Sequence, residues 1–186
     1  MITLKELKEA METIAEDTKK EYVQQGGVPL TFYVLCEDEK GKKGMMICPL
    51  MGQNIINHKR EIAYRLGKII RQAVKQGRTP DIKRVNAIIA SSESWLVKLK
   101  PPEGQSKEEF EKRTMEIRPS QHPDREEALI IAGMTEQKEG SLIVYKIRER
   151  DGKKRLARDR EMEKGMKLES YLLDGFWEGL LMQFAV

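Results

Sequence analysis

The chain has 186 residues, of which 39% are apolar and 34% are charged, and its formal net charge at pH 7 is +4. A chain of this length suits a single domain, and we expect residues 1–186 to form one. The composition lies within the range of folded proteins, which argues against a disordered chain. A charge excess this small does not by itself indicate nucleic-acid binding.

The sequence shows no membrane or export segment. It has no run of roughly 18 apolar residues, so no transmembrane helix is predicted. The N-terminal segment has no apolar core of signal-peptide length. We therefore expect a cytoplasmic protein without membrane association, in which Cys36 and Cys48 are reduced.

The chain begins with a predicted helix over residues 3–24. Its apolar side chains recur at three- and four-residue spacing, which gives a helix one buried face. Thr3 followed by Glu6 is a capping-box pattern at the start. Gly26 and Gly27 end the helix.

A β-hairpin is predicted next. Residues 30–37 and 44–50 are rich in the branched, aromatic and other apolar side chains that strands favour, and a polar turn separates them. Because Cys36 and Cys48 lie at similar distances from Gly41 along the chain, we expect the two thiols to lie near each other across this hairpin.

The second predicted helix covers residues 57–77. Four apolar residues form its expected buried face, with Ile70 and Val74 beside them: Ile62, Leu66, Ile69 and Ala73. Four basic residues form a stripe nearly opposite: Arg65, Lys68, Arg71 and Lys75. Such a stripe neutralises phosphates, so one hypothesis is that the basic helix, residues 59–78, binds nucleic acid. The alternative is a solvated helix face, and the stripe has no aromatic side chains for base stacking.

Residues 84–90 form a predicted strand that leads into the polar segment SSES. Residues 95–99 then alternate apolar and other side chains, which indicates either a tight hairpin with SSES as its turn or one bent strand. A long connection follows at about residues 101–124, with a short helix predicted after Ser106.

The segment at residues 126–134 has two interpretations. Its acidic start after Pro123 is typical of a helix N-terminus, whereas the run ALIIAGMT has strand composition. Residues 141–148 are a clear strand that needs a partner, so we predict a hairpin. A basic run then follows a DGKK turn: Lys153, Lys154, Arg155, Arg158 and Arg160.

A third helix is predicted over residues 167–184. Phe176 and Trp177 either complete the core of the single chain or form a subunit interface in a homo-oligomer. Because hairpins dominate over parallel crossover units, the elements predict an α+β fold. We expect a mainly antiparallel sheet of about six strands, with two or three long helices packed on it.

One set of polar residues would meet if the strands at 84–91 and 127–134 are neighbours. It comprises Ser91, Glu93, Ser94, Arg118, His122, Asp124, Arg125 and Glu126. A carboxylate, a histidine and an arginine at one place can bind an anion or carry out acid–base chemistry. A hydrolase-type enzyme would use Glu93, His122 and Asp124. The alternative is a capped, salt-bridged loop.

Metal and cofactor sites are not predicted. A site made of carboxylates would need Glu93, Asp124 and Glu126 together, and no spacing fixes that geometry. The phosphate-binding glycine motifs are absent.

The segments SSESW (residues 91–95) and RPSQHPDREEAL (residues 118–129) resemble a family of small uncharacterised proteins from bacteria, archaea and phages. In that family an SE-W segment precedes a P-S-x-x-P-x-R-x-E segment and an apolar strand. The resemblance implies no activity, cofactor or catalytic residue. It implies that the two polar segments belong together.

These observations favour a non-enzymatic accessory protein that binds a partner or associates with itself. The hydrolase-type enzyme and the nucleic-acid-binding protein are the competing hypotheses.

Overall fold

The structure, a computed structural model, describes residues 2–50, 58–76, 82–97, 106, 125–150, 152–160, 163 and 171–181. Three helices fall in these ranges: α1 (Leu4–Gln25), α2 (Lys59–Lys75) and α3 (Tyr171–Leu181). Six strands accompany them: β1 (Leu30–Glu37), β2 (Lys43–Leu50), β3 (Arg84–Val97), β4 (Arg125–Thr135), β5 (Gly140–Arg150) and β6 (Lys153–Arg158).

The six strands form one antiparallel sheet in the order β2-β1-β3-β4-β5-β6. Helix α1 packs on one face of β3 to β6, and α2 packs with α3 on the opposite face. Each face therefore has its own apolar core. The α+β fold predicted from the sequence is confirmed, including the hairpin of β4 and β5. None of the described helices has the length and apolar content that crossing a membrane requires.

Helix α1 begins and ends where its capping residues predict. The Thr3 hydroxyl oxygen accepts a hydrogen bond from the Glu6 N–H at 3.2 Å, and the Glu6 carboxylate accepts one from the Thr3 N–H at 2.8 Å. At the other end, Gly26 adopts φ 75° and donates to the Tyr22 carbonyl at 2.8 Å. The predicted helix is confirmed, with Leu7, Met11 and Tyr22 on its buried face.

Helices α2 and α3 approach so closely that their backbones touch. A Cβ at Gly67 would lie 2.3 Å from the Phe176 carbonyl oxygen, and one at Gly179 would lie 2.0 Å from the Tyr64 carbonyl oxygen. No side chain fits at either position, so glycine sets the distance between the helices.

This close contact turns α2 away from the orientation that its apolar pattern predicts. The helix buries Ala63, Gly67 and Ile70, whereas Ile69 is 61% exposed. The predicted buried face was therefore wrong at Ile69. Gly67 has no apolar side chain to mark it in the sequence, yet it is the residue that must face α3.

The two cysteines do not meet across the hairpin of β1 and β2. In the register of this hairpin Cys36 pairs with Gly44, and Cys48 pairs with Phe32. The thiols are thus offset by four residues along the strands. A strand rises about 3.3 Å per residue, so this offset is roughly 13 Å. The expectation that they lie near each other was wrong.

The side chains of Phe176 and Trp177 are both fully buried, with an edge-to-face ring contact at 5.7 Å. They pack with Leu173 into the core beneath α2 and α3. Of the two predicted roles, the structure supports completion of the core. A homo-oligomer through the C-terminal helix stays a prediction.

Gly179→Ala tests the backbone contact of α2 and α3. Helix propensity alone predicts a gain of about 1 kcal/mol in the free energy of unfolding. The clash with the Tyr64 carbonyl predicts instead a loss of about 1–3 kcal/mol. Urea unfolding distinguishes the signs. Gly44→Ala is the control, because its Cβ would lie 3.7 Å from the Cys36 Sγ, an ordinary contact. A stabilised Gly179→Ala would contradict the packing.

Acid should weaken the link between α1 and β2. The Lys43 ammonium lies 2.5 Å from the Glu6 carboxylate and, with Thr3, lowers the pKa of Glu6 from 4.5 to about 2. A lowered pKa adds stability at high pH that is lost as the pH falls from 4.5 to about 2. Glu6→Gln should reduce the slope of unfolding free energy against pH in this window, and Lys43→Gln should do the same. An unchanged slope in both variants would contradict the pairing.

Candidate functional site

The pairing of β3 with β4 brings together the two polar segments singled out from the sequence. Trp95 pairs with Glu127, and Val97 pairs with Arg125. The predicted neighbourhood of these strands is confirmed. The SSES segment is not a turn, however: it lies within the continuous strand β3. Of the two alternatives predicted for this region, the single strand was right.

Strand alternation divides the predicted polar set between the two faces of the sheet. Glu93 pairs with Leu129, which lies in the core under α1, so Glu93 is on that face. Glu126 is an odd number of residues from Leu129 and points to the face of α2. Glu93 and Glu126 therefore cannot share a metal ion. Among the described residues no cluster of histidine, cysteine or carboxylate side chains could hold one.

The other members of the set have separate positions. Ser91 is 1% exposed, under α1, while Ser94 pairs with Ala128 on the opposite face. The Glu126 carboxylate lies 2.6 Å from the Lys146 ammonium. Three further members, Arg118, His122 and Asp124, lie outside the described residues, as does the predicted short helix after Ser106.

The Glu93 carboxylate holds the connection between α1 and β1. Its Oε1 accepts a hydrogen bond from the Val28 N–H at 2.9 Å, and a Cβ at Gly27 would lie 2.9 Å from the same oxygen. The Lys59 ammonium donates to the Glu93 carbonyl at 3.3 Å. Burial lowers the pKa of Lys59, and the nearby Glu93 carboxylate opposes this change. Glu93 thus has a structural role that its position in the sequence did not reveal.

A second polar group lies beside Glu93, at the C-terminal end of α1. The Lys154 ammonium lies 3.2 Å from the Glu127 carboxylate, which raises the pKa of Lys154. Tyr22 is 1% exposed, and its hydroxyl has no hydrogen-bond partner of normal geometry among the described residues. Burial raises the pKa of Tyr22, and the Glu93 carboxylate adds to the increase. The sequence placed Tyr22 only on a buried helix face.

Next to this group is an open cleft of about 670 Å³. Trp95 and Ile147 supply its apolar side chains. The Arg125 guanidinium lies over the Trp95 ring, 4.9 Å from its centroid, and Trp95 remains 37% exposed. Of the residues that the sequence proposed for binding, Arg125 and Glu126 line the cleft. Trp95 was predicted as a strand residue and as the end of the SSESW segment, but not as a binding residue.

The predicted basic surfaces are partly paired with acidic side chains. On α2 the Arg65 guanidinium lies 2.5 Å from the Glu61 carboxylate. In the late basic run, Arg158 binds both Glu12 and Glu163. Nucleic-acid binding by the stripe on α2 stays a prediction, while the late run contributes less free charge than its sequence indicated.

Comparisons with known proteins yield no relative. The chain matches no protein-family model, and neither a curated protein nor a solved structure matches it at a significant level. Its function is therefore inferred from the geometry of the cleft and the residues around it.

Replacing Glu93 should separate a structural from a chemical role. Glu93→Ala leaves the Val28 N–H without its acceptor, so the free energy of unfolding should fall by about 1–3 kcal/mol. Glu93→Gln keeps an acceptor oxygen and should lose less than about 1 kcal/mol. Thermal or urea unfolding measures both variants. An equal loss in the two would show that the negative charge, rather than the hydrogen bond, is what matters.

Proposed function

We propose that the protein binds a polypeptide partner in the cleft beside Trp95, without catalysis. The observation that carries this proposal is the accessible Trp95 ring beneath the Arg125 guanidinium, within a cleft of about 670 Å³. The occupant that fits is an extended segment with an apolar or aromatic side chain flanked by charged ones.

The centre of the cleft has the composition of a protein-binding hot spot. Tryptophan and arginine are the residues most often found where a few side chains dominate an interface. Trp95 and Ile147 offer an apolar surface, and the guanidinium of Arg125 covers part of the ring. A partner side chain that packs against them would remove the apolar surface from water.

The charges around the cleft favour a polypeptide over a nucleic acid. Four basic residues line it: Arg125, Lys146, Arg148 and Lys154. Three acidic residues stand among them: Glu126, Glu127 and Glu149. Carboxylates repel a phosphate backbone, whereas a polypeptide can present both signs of charge. A rim of mixed charge around an apolar centre is typical of protein interfaces.

Ion pairs on both faces of the sheet fix the strands around the cleft before any partner binds. On the face of α2, Glu126 lies 2.6 Å from Lys146, which is also 3.5 Å from Asp159. Glu127 on β4 lies 3.2 Å from Lys154 on β6, so this ion pair reaches across β5. These contacts lie on a sheet, which holds side chains more rigidly than a loop, so less ordering is required on binding.

The hydrolase alternative has less support at Glu93. That carboxylate accepts a hydrogen bond from the Val28 N–H, a contact that a structural role explains. The other two residues of the hydrolase hypothesis, His122 and Asp124, lie outside the described residues. The proposed binding role does not depend on Glu93.

The proposal is tested with Trp95→Ala. Proteins cross-linked to the wild-type chain in lysate of the source organism are compared with those cross-linked to the variant. A polypeptide that only the wild type retains is identified and purified, and its Kd is measured by calorimetry. We expect Trp95→Ala to weaken binding by about 30-fold, the effect of losing about 2 kcal/mol at a hot spot.

Ile69→Ala is the matched control, because Ile69 is 61% exposed on α2, on the opposite side of the sheet. It should leave the Kd unchanged. The Trp95 variant should remain folded, since an exposed cation–π contact contributes only about 0.5–1 kcal/mol. If the purified partner binds Trp95→Ala as tightly as the wild type, or if no Trp95-dependent partner exists, the proposal is wrong.

A further inference from the structure

Strand β2 lies at an edge of the sheet and pairs only with β1 among the described residues. Alternate residues among its eight therefore direct N–H and C=O groups to the outer side. Such an edge can pair with another strand, and proteins usually protect it with charged side chains, proline or a covering element.

The protection of β2 is incomplete. Met45 is 46% exposed and Ile47 is 58% exposed, and both point to the same face of the strand. Helix α1 packs mainly on β3 to β6 and leaves these two side chains exposed. A free charge on Lys43 would oppose pairing with another strand. The Lys43 ammonium instead lies 2.5 Å from the Glu6 carboxylate. Pro49 lacks a backbone N–H group, so it hinders pairing only near the C-terminal end of β2.

The opposite edge of the sheet is different. Strand β6 has the sequence KKRLAR, in which four of six residues are basic. Two such strands side by side would place like charges together, which opposes pairing. Strand β2 carries no acidic residue and one lysine, so it meets no such repulsion.

We propose that β2 pairs antiparallel with β2 of a second copy of this chain, about a two-fold axis near Met46. In this register Met45 lies opposite Ile47 of the second copy, and Lys43 lies opposite Pro49 of the second copy. The two exposed apolar side chains of each copy then cover those of the other. The sheet continues from one copy into the next.

The symmetry favours this arrangement over pairing of β2 with β6. A two-fold contact uses the same surface on both copies and closes at a dimer. A contact of β2 with β6 would be heterologous and would continue from copy to copy as an open chain. The cleft beside Trp95 lies on other strands, so self-association through β2 is independent of partner binding.

Ile47→Lys is the direct test, measured by analytical ultracentrifugation. At about 100 µM, where a dimer with micromolar Kd is formed, the wild type should sediment as a dimer. Ile47→Lys should shift towards the monomer across a concentration series, with the dimer Kd raised at least about 10-fold by the loss of the apolar contact. Met45→Lys should have the same effect.

Two matched controls carry the same change elsewhere on the surface. Ile69 on α2 is 61% exposed, and Val23 on α1 is 66% exposed. Ile69→Lys and Val23→Lys should remain dimeric. Circular dichroism confirms folding of every variant. Hydrogen exchange of the wild type should show amides of residues 43–50 becoming protected as concentration rises.

A monomeric wild type would overturn the proposal. So would a dimer that Ile69→Lys or Val23→Lys dissociates as readily as Ile47→Lys, or a dimer whose formation leaves exchange in β2 unchanged.

Discussion

The antiparallel pairing of β3 with β4 is the contact on which the rest of the structure depends. It runs from the pair of Ala87 with Thr135 to the pair of Val97 with Arg125. All three helices pack against the sheet that these central strands support. Since β3 has 14 residues and β1 has eight, the two central strands extend past the start of β1. Glu93 and Lys59 form hydrogen bonds at the point where β3 passes the start of β1. The cleft lies beyond this point, between the extended ends of the strands.

The length of α1 decides which part of the central strands stays accessible. Its capping box starts the helix at Leu4, and the left-handed Gly26 ends it. Tyr22, in the last turns, covers the sheet beside Lys154, and the chain then turns towards β1. Trp95 and Arg125 lie on the same face and are left exposed. On the opposite face, the glycine contact of α2 with α3 encloses Trp177. Of the two tryptophans, Trp95 is thus partly exposed on one face of the sheet, and Trp177 is buried in the core on the other.

Local signals in the sequence predicted much of this fold. Capping residues, strand composition and turns depend on neighbours along the chain, so α1, the hairpin of β1 with β2 and the hairpin of β4 with β5 were found. The turn before β6 was predicted, but β6 itself was not predicted as a strand. The orientation of α2 was not, because it depends on Gly67 meeting the backbone of α3. The pairing of SSESW with REEAL was predicted, yet the roles of its residues were not. Glu93 looked like a catalytic carboxylate because nothing near it in sequence shows that Val28 supplies its hydrogen bond.

The central claim is that the exposed ring of Trp95 is the surface on which a partner binds. The chain has two tryptophans, of which Trp95 is 37% exposed and Trp177 is fully buried. Acrylamide quenching of the intrinsic fluorescence should therefore resolve one accessible and one inaccessible component. When the purified partner is bound, the account predicts that the accessible component becomes protected while the buried one does not change. A partner that binds at full occupancy and leaves the quenching of Trp95 unaltered would contradict it.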